Sequence, residues 1–364
     1  MLCLVQDKKE NNMKTTIIKI GSSVLVNDSG EVKQGVVKNI LTSVHKRIEQ
    51  GENILIVSSG AVAIGSQINK QEKLTKRLAA GIGQMHLMSA YLSGAKDLGL
   101  KVSELLLSRP HLVERSHFLQ LQESIQSAFD NKIILIVNEN DALVHGTDWG
   151  FPDNDSLAAS LSIALDVDKL ILLSHVDGLY DSDPTQNKNA KLIEEIKDVN
   201  APLMEFCGTR SSEQGRGGMV TKLKAARLCS AVGIDVNIVN GQKDNSLEKT
   251  LQGEKVGTKF LARKKIDFVK NRERWILAAK SSAASIEVDE GAVIALQQGK
   301  SLLAVGIKKV YDKFEEGEIV EIIDNSKQGI AFGVVDIASE DLGNDFKFQK
   351  GIQVMHADNI MVFA

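Results

Sequence analysis

Residues 13–25, MKTTIIKIGSSVL, form a short apolar run that ends at a glycine and two serines. Residues 15–20 are rich in β-branched side chains and too few for a typical helix, which predicts a buried strand. Lys19 interrupts this run one residue before it ends. A lysine beside the backbone N–H groups of a Gly-Ser-Ser turn is suited to bind an anion. The alternative is a lysine that reaches solvent from an edge strand, and this segment alone leaves both open.

Strand and helix patterns alternate from this run to Gly241. The apolar residues Val36, Ile40, Val44 and Ile48 recur every four positions, which is typical of an amphipathic helix. The predicted strands are residues 15–20, 53–57, 102–107, 132–137, 169–173 and 235–239, and the further predicted helices are residues 74–96, 114–129, 155–165 and 219–232. This alternation predicts a mainly parallel sheet covered by helices on both faces.

The turns at Gly21, Ser59, Asn138 and Ser174 each follow a predicted strand, so we expect them to share one rim of the sheet. Ligands bind beyond the carboxyl ends of the strands in such folds. The functional site is therefore predicted at this rim.

The helix over residues 74–96 is predicted to cover the sheet with its large apolar residues, which are Leu78, Ile82, Met85 and Leu92. Gly81 and Gly83 each weaken an isolated helix by roughly 1 kcal/mol relative to alanine. We therefore expect close packing against a neighbouring element at these glycines.

The length of 364 residues suggests two domains, and a composition of 43% hydrophobic and 25% charged residues is that of a globular protein. A net charge of −3 gives no general attraction to nucleic acid. The three scattered cysteines fit neither a disulfide framework nor a metal site, which favours a reducing, cytoplasmic location. No segment is long and apolar enough to predict a membrane span. Residues 1–12 are expected to be a dispensable extension before Met13.

The pattern changes after residue 262. A basic connector over residues 263–274 leads to short alternating runs at residues 285–288, 302–307, 319–323, 330–335 and 352–354. Such spacing predicts a small, mostly β domain over residues 275–364, after a first domain over residues 13–262.

A glycine-rich loop, GRGGMVTK at residues 215–222, enters a predicted helix that carries a lysine. Glycines let backbone N–H groups approach phosphate oxygens, and a helix start favours an anion. The loop matches neither the GxxxxGK[ST] nor the GxGxxG spacing, so a phosphate site and an ordinary surface loop both stay open.

Two segments rich in acidic and amide groups lie at the predicted rim, NEND at residues 138–141 and DNDS at residues 153–156. One of these residues is expected to cap the helix that follows. Capping needs a single residue, so the others are suited to bind a ligand ammonium group, or to orient lysines and a metal ion.

The strand and turn at residues 172–180, LLSHVDGLY, are suited to hold a nucleotide base or ribose. His175 in this turn is more simply a surface hydrogen-bonding group than a general base.

Taken together, these motifs resemble those of the glutamate 5-kinase family. The resemblance rests on KIGSS at 19–23, VSSGA at 57–61, NEND at 138–141, DND at 153–155, DGLY at 177–180 and GRGGMVTKL at 215–223. The runs GKSLLAVGI at 299–307 and FEEGEIV at 314–320 resemble the PUA domain that many bacterial members carry. The resemblance implies an amino-acid-kinase fold, followed by a PUA-type barrel.

It also implies transfer of a phosphoryl group from ATP, with Mg²⁺, to the side-chain carboxylate of L-glutamate, the first step of proline biosynthesis. The resemblance implies that Lys19, Lys222 and Asp155 are catalytic, with Asp155 holding both lysines in place. It implies that Ser59, Asp141 and Asn154 bind glutamate. The residues implied to bind ATP are Lys19, Gly21, Ser174, His175, Arg216, Gly217, Gly218, Met219, Val220, Thr221 and Lys222. A glutamate side chain with a pKa of about 4.3 is ionised at neutral pH and needs no general base to attack phosphorus. Catalysis then reduces to positioning and charge neutralisation.

Two segments depart from the family pattern. Ser174-His175 stands where Thr-Asp is common, and WGFP at residues 149–152 replaces the sequence seen in relatives before Asp153.

Feedback inhibition by proline and a homo-oligomer are implied by the resemblance alone. A related kinase acting on aspartate, acetylglutamate or UMP is the nearest alternative. RNA binding by the second domain, through the basic connector, is another alternative that the charge pattern does not favour.

Overall fold

The computed structural model describes residues 13–68, 74–147, 149–184, 186–197, 218–262, 284–342 and 351–362. The expected N-terminal extension, the basic connector, and Arg216 and Gly217 of the glycine-rich loop lie outside these residues.

The first domain is built on an eight-stranded sheet in the order β3-β4-β2-β1-β5-β7-β8-β6. Its strands are β1 Thr15–Ile20, β2 Asn53–Val57, β3 Val102–Leu107, β4 Ile134–Glu139, β5 Lys169–Ser174, β6 Glu195–Ile196, β7 Asp235–Asn240 and β8 Thr258–Phe260. The strand pairs are parallel except for β7 with β8. The prediction of a mainly parallel sheet is confirmed, and β1, the strand quoted first, lies near its centre.

Helices cover both faces of this sheet over two separate apolar cores. The helices are α1 Ser22–Leu25, α2 Gln34–Glu49, α3 Ala61–Ile68, α4 Lys76–Asp97, α5 Pro110–Val113, α6 Arg115–Asp130, α7 Asp141–Val144, α8 Asn154–Ala164, α9 Met219–Ala231 and α10 Ser246–Leu251. No helix in the described part of the chain is long and apolar enough to cross a membrane.

The buried face of α4 differs from the predicted one. Leu78, Met85 and Leu92 are 58%, 75% and 59% exposed, so the prediction that they cover the sheet is wrong. Helix α4 instead packs on α3 through small residues. A Cβ atom at Gly83 would lie 1.8 Å from the carbonyl oxygen of Ala61, so the two backbones touch there and the expected close packing is confirmed at Gly83.

At Gly81, a Cβ atom would lie 3.9 Å from that of Ala142, an ordinary van der Waals distance. The expectation of close packing is therefore wrong at Gly81. This glycine instead lines a cleft at the rim of the sheet.

Over its described residues, 284–342 and 351–362, the second domain is a small β structure with one α-helix. Its elements are β9 Ser285–Val288, α11 Glu290–Gln297, β10 Leu302–Leu303, β11 Ile307–Tyr311, β12 Ile319–Ile323, β13 Gly329–Val334, β14 Gln353–Met355 and β15 Ile360–Val362. They form a five-stranded sheet, β11-β9-β12-β13-β15, and a β10-β14 pair. The run at 302–307, predicted as one strand, is split by a 3-10 turn at Ala304–Gly306. Helix α11, capped by Asp289, was not predicted.

Candidate active site

A buried carboxylate between two ammonium groups lies at the centre of the rim. Asp155, in the first turn of α8, is fully buried. Its Oδ1 lies 2.6 Å from Lys19 Nζ, and its Oδ2 lies 3.0 Å from Lys222 Nζ. Both lysines are 4% exposed, so the alternative that Lys19 reaches solvent from an edge strand is wrong.

The charges of this cluster stabilise one another. Burial alone would raise the pKa of Asp155, but the charges of Lys19 and Lys222 and the hydrogen bonds from Lys19 and Thr221 hold that pKa below its ordinary value. Burial lowers the pKa of Lys222, and the carboxylate of Asp155 opposes this effect. The shared carboxylate holds two ammonium groups side by side at the rim, and charged N–H donors of this kind suit a phosphoryl group.

Helix α9 brings Lys222 and Thr221 to Asp155. The helix begins at Met219, with Gly218 as its N-cap and no side-chain cap. Thr221 Oγ1 lies 2.8 Å from Asp155 Oδ2 and 2.9 Å from the Gly218 carbonyl oxygen. The start of α9, where backbone N–H groups favour an anion, therefore lies beside the two lysines. Val220 is partly exposed at this end of the helix.

Gly21, Ser174 and His175 lie at the adjacent ends of β1 and β5. The Gly21 N–H donates to the Leu173 carbonyl at 3.0 Å, and a Cβ atom at Gly21 would lie 3.2 Å from that oxygen. Ser174 is buried. His175 Nδ1 lies 3.2 Å from Ser23 Oγ on the exposed side. The three residues share the rim with the lysine cluster, and their contact with a nucleotide stays a prediction.

Asn154 joins the ends of two strands, β2 and β4, on the other side of Asp155. Its Nδ2 lies 2.8 Å from the Ser58 carbonyl oxygen, 2.8 Å from Ser59 Oγ and 2.9 Å from Asn138 Oδ1. The structure thus brings together Ser59 and Asn154, two of the three residues predicted to bind the acceptor. The preceding residue, Asp153, accepts from the Ser156 N–H at 2.8 Å and is the N-cap of α8.

Asp141, the third predicted acceptor residue, lines a neighbouring cleft of about 380 Å³ between α4, β3, β4 and α7. Its Oδ1 lies 3.0 Å from His145 Nδ1, and both side chains are largely buried. His145 therefore fixes the carboxylate of Asp141 in place.

A polar chain that sequence reasoning missed connects this cleft to Asn154. Asn138 Nδ2 donates to Gln84 Oε1 at 2.8 Å, and Gln84 Nε2 donates to Glu104 Oε1. Gln84 and Asn138 are 9% and 1% exposed. The sequence signal that could have identified Gln84 is its neighbour Gly83. The backbones of α3 and α4 touch at Gly83, so the next residue lies close to the buried side of α4.

The WGFP segment alternates exposed and buried side chains. Trp149 is 67% exposed, whereas Phe151 is 5% exposed and its N–H donates to Glu139 Oε1. Because Glu139 is the last residue of β4, this bond ties the segment to the rim just before Asp153.

Asp153 makes the stability of the fold depend on pH. Burial and the negative charge of Asp155 raise the pKa of Asp153 to about 6 from 3.8. The folded chain binds this proton more tightly than the unfolded chain, so this group contributes less to stability as the pH rises from about 4 to about 6. Asp153→Asn can still accept from Ser156 and removes the negative charge beside Asp155. We expect the variant to be more stable than wild type at about pH 7.5, by up to about 3 kcal/mol.

Thermal unfolding at about pH 7.5 and about pH 4.5 measures this difference, which should shrink at the lower pH. Asp289→Asn is the matched control, because Asp289 caps α11 in the second domain through the same kind of bond. An equal pH dependence in the two variants would contradict the assignment.

The mainly parallel αβα fold and the small β domain that follows it are each matched by the model of a known family. The model of the amino acid kinase family matches residues 14–240, and the model of the PUA domain matches residues 284–355. The chain therefore belongs to the amino acid kinase family.

Its curated relatives include glutamate 5-kinases. The chain is 34% identical over 366 residues to "Glutamate 5-kinase" of Vibrio vulnificus (strain YJ016), with 96% of each chain covered. It is 36% identical over 330 residues to "Glutamate 5-kinase" of Photorhabdus laumondii, with 89% of each chain covered. Among solved structures, carbamate kinase from Giardia lamblia bound to AMP-PNP matches 70% of this chain and 100% of its own, with a TM-score of 0.53 and 17% identity. That likeness supports the fold.

Proposed function

We propose that the chain transfers the γ-phosphoryl group of ATP to the side-chain carboxylate of L-glutamate, forming L-glutamyl 5-phosphate for proline biosynthesis. The observation that carries this proposal is the Lys19–Asp155–Lys222 cluster, with its nucleotide side at α9 and its acceptor side at Asn154. The 34–36% identity to named glutamate 5-kinases over most of the chain supports glutamate as the acceptor. A reducing, cytoplasmic compartment fits this function.

The reaction needs no general base. The attacking carboxylate is ionised at neutral pH, so its oxygen bonds to the γ-phosphorus as the bond to the β–γ bridging oxygen breaks, and ADP leaves. Lys19 and Lys222 neutralise the charge on the transferred group, and Asp155 fixes both ammonium groups before ATP binds. His175 lies on the nucleotide side and takes no proton in this scheme.

ATP binding fits the donors present at the rim. The ammonium groups of Lys19 and Lys222, the Gly21 turn and the start of α9 all favour phosphate oxygens. We assign nucleotide contacts also to Ser174, His175, Met219, Val220 and Thr221, and to Arg216 and Gly217 outside the described residues. Mg²⁺ would enter with ATP on phosphate oxygens and water, and would supply further charge neutralisation.

Formation of an acyl phosphate tests the function directly. The purified chain is incubated with ATP, Mg²⁺ and hydroxylamine, which traps acyl phosphates as hydroxamates. L-glutamate, L-aspartate, N-acetyl-L-glutamate and UMP are compared as acceptors. Hydroxamate and ADP with glutamate alone support the proposal, whereas turnover with another acceptor would keep the lysine roles and reject glutamate.

Asp141→Ala is expected to raise the KM for glutamate by about tenfold to a hundredfold with little change in kcat. Its carboxylate, fixed by His145, is placed to bind the substrate ammonium, and charged hydrogen bonds contribute about 1.5–3 kcal/mol. Steady-state kinetics with each substrate varied in turn measures the effect. A fall in ATP affinity instead would show that this cleft serves the other ligand.

Proline is proposed as a feedback inhibitor that competes with glutamate at the acceptor side. The suppression of hydroxamate formation by added proline measures this inhibition.

We also propose that the chain forms a homo-oligomer. Leu78, Met85 and Leu92 recur every seven residues on α4 and form an exposed apolar stripe that a second copy can cover. Light scattering of the full chain gives the molar mass in solution.

RNA binding by the second domain is an alternative with one observation in its favour. Lys309 and Lys327 each place Nζ 4.6 Å from the centre of the Tyr311 ring, near Lys308. Glu287 pairs with Lys308 and Lys327, however, so the patch is not purely basic. A salt-sensitive gel shift with structured RNA would support this role, and no shift at low salt would reject it.

A further inference from the structure

One strand of the second domain reaches the helix that carries Lys222. Glu321, in β12, lies 3.1 Å from Arg227 of α9. The two side chains are 15% and 7% exposed, so the pair is largely shielded from water. Arg227 is five residues beyond Lys222 in the same helix.

A glycine and two apolar side chains of the second domain surround this pair. Gly329, in the neighbouring strand β13, faces both partners, and a Cβ atom there would lie 2.3 Å from Arg227 Nη2 and from Glu321 Oε1. Ile319 and Phe332 of the same two strands belong to the apolar core of the first domain. The ion pair therefore lies within a packed interface between the domains.

Helix α9 is held at two places by ionic contacts from different parts of the chain. Near its start, Thr221 and Lys222 bind Asp155 of α8. Further along, Arg227 binds Glu321. Because both contacts belong to one continuous helix of 13 residues, we expect a shift at Arg227 to displace the Lys222 ammonium as well.

We propose that Arg227 is a positioning residue for catalysis, through which the second domain fixes the placement of Lys222. This inference rests on the proposed role of Lys222 in phosphoryl transfer. It assigns the second domain a part in the reaction without any contact to the substrates. A displacement of about 1 Å at a reacting group can cost a hundredfold in rate, so a modest shift of α9 has a measurable effect.

The test separates positioning from stability. Arg227→Met and Glu321→Leu each leave one buried charge unpaired, so both are expected to lower the Tm. The double variant, Arg227→Met with Glu321→Leu, removes both charges and restores the Tm, because replacing a buried ion pair with apolar residues of similar size is often neutral or stabilising. We expect its kcat to stay about tenfold below wild type, with the KM for glutamate unchanged.

Arg109→Ala is the matched control. Arg109 also pairs with a glutamate of the second domain, Glu318 at 3.2 Å, but it lies in the loop after β3 and outside α9. Its loss is expected to leave kcat unchanged. Gly329→Ala provides a second test that keeps both charges, since its methyl group would displace the ends of the Arg227 and Glu321 side chains, and it too should lower kcat.

Full recovery of kcat together with the Tm in the double variant would reduce the pair to a structural role and overturn the proposal. An equal loss of kcat in Arg109→Ala would overturn it as well, because general loosening of the domains would explain both results. Absence of turnover with every acceptor in the unsubstituted chain is a different result, which would reject the proposed function itself.

Discussion

Replacement of Lys222 by alanine is expected to lower kcat by about a hundredfold to a thousandfold while the chain stays folded. The ammonium of Lys222 lies 3.0 Å from Asp155 Oδ2 at the start of α9, and the proposed reaction develops charge on the transferred group beside it. Loss of one fixed donor to such a charge costs about 3–4 kcal/mol of transition-state stabilisation. Lys19 still pairs with Asp155, so the carboxylate keeps a partner and the fold is retained.

Hydroxamate assays at saturating ATP and glutamate measure this loss, and circular dichroism checks the fold. Lys38→Ala is the control, since Lys38 forms an exposed pair with Asp97 away from the rim. Turnover of the Lys222→Ala variant at the wild-type rate would remove this lysine from the mechanism.

Asp155→Asn is expected to reduce both activity and stability. The amide keeps the shape of the side chain but leaves Lys19 and Lys222 as buried ammonium groups without their carboxylate. Breaking a buried ionic contact in this way costs about 3–5 kcal/mol of folding free energy. We expect kcat to fall at least a hundredfold as well, because neither ammonium group is then held in place.

Urea unfolding at neutral pH measures the loss of stability. Because its lysine partners depress the pKa of Asp155, the wild-type advantage is present above the ordinary pKa of 3.8 and declines as the pH falls below it. Asp153→Asn, two residues away, should change stability in the opposite direction at neutral pH. A loss of similar size in both variants would point to general damage to the start of α8.

Much of the first domain could be predicted because its strands are short apolar runs between glycines and polar turns. Strands β1, β2 and β3 begin and end where the sequence pattern places them. The cluster at the rim was also within reach, since Lys19 lies near the end of a predicted strand and Asp155 and Lys222 lie near the starts of predicted helices. The assignment of Asp155 to both lysines, however, came from a family resemblance and not from spacing.

The errors all concern contacts between different elements of the fold, which local sequence patterns do not show. Helical periodicity tells which residues of α4 share a face, but not which face is buried, and backbone contact with α3 outweighs the burial of Leu78, Met85 and Leu92. Gln84 and Glu104 were missed because a polar residue gives no periodic signal when its partners lie on other elements. Arg227 and Glu321 lie 94 positions apart in the sequence and in different domains, so no local sequence pattern could predict that they form a pair.

The contact between α3 and α4 also limits how this sequence can change over evolutionary time. A Cβ atom at Gly65 would lie 1.8 Å from the Ala79 carbonyl, just as one at Gly83 would meet Ala61, so neither position can accept even alanine without moving a helix. Helix α3 begins two residues after Ser59, so any such movement would carry the acceptor side with it. We therefore expect Gly65 and Gly83 to be invariant among active relatives, although neither residue contacts a substrate. The exposed face of α4 can vary more freely, except where a second copy of the chain covers it.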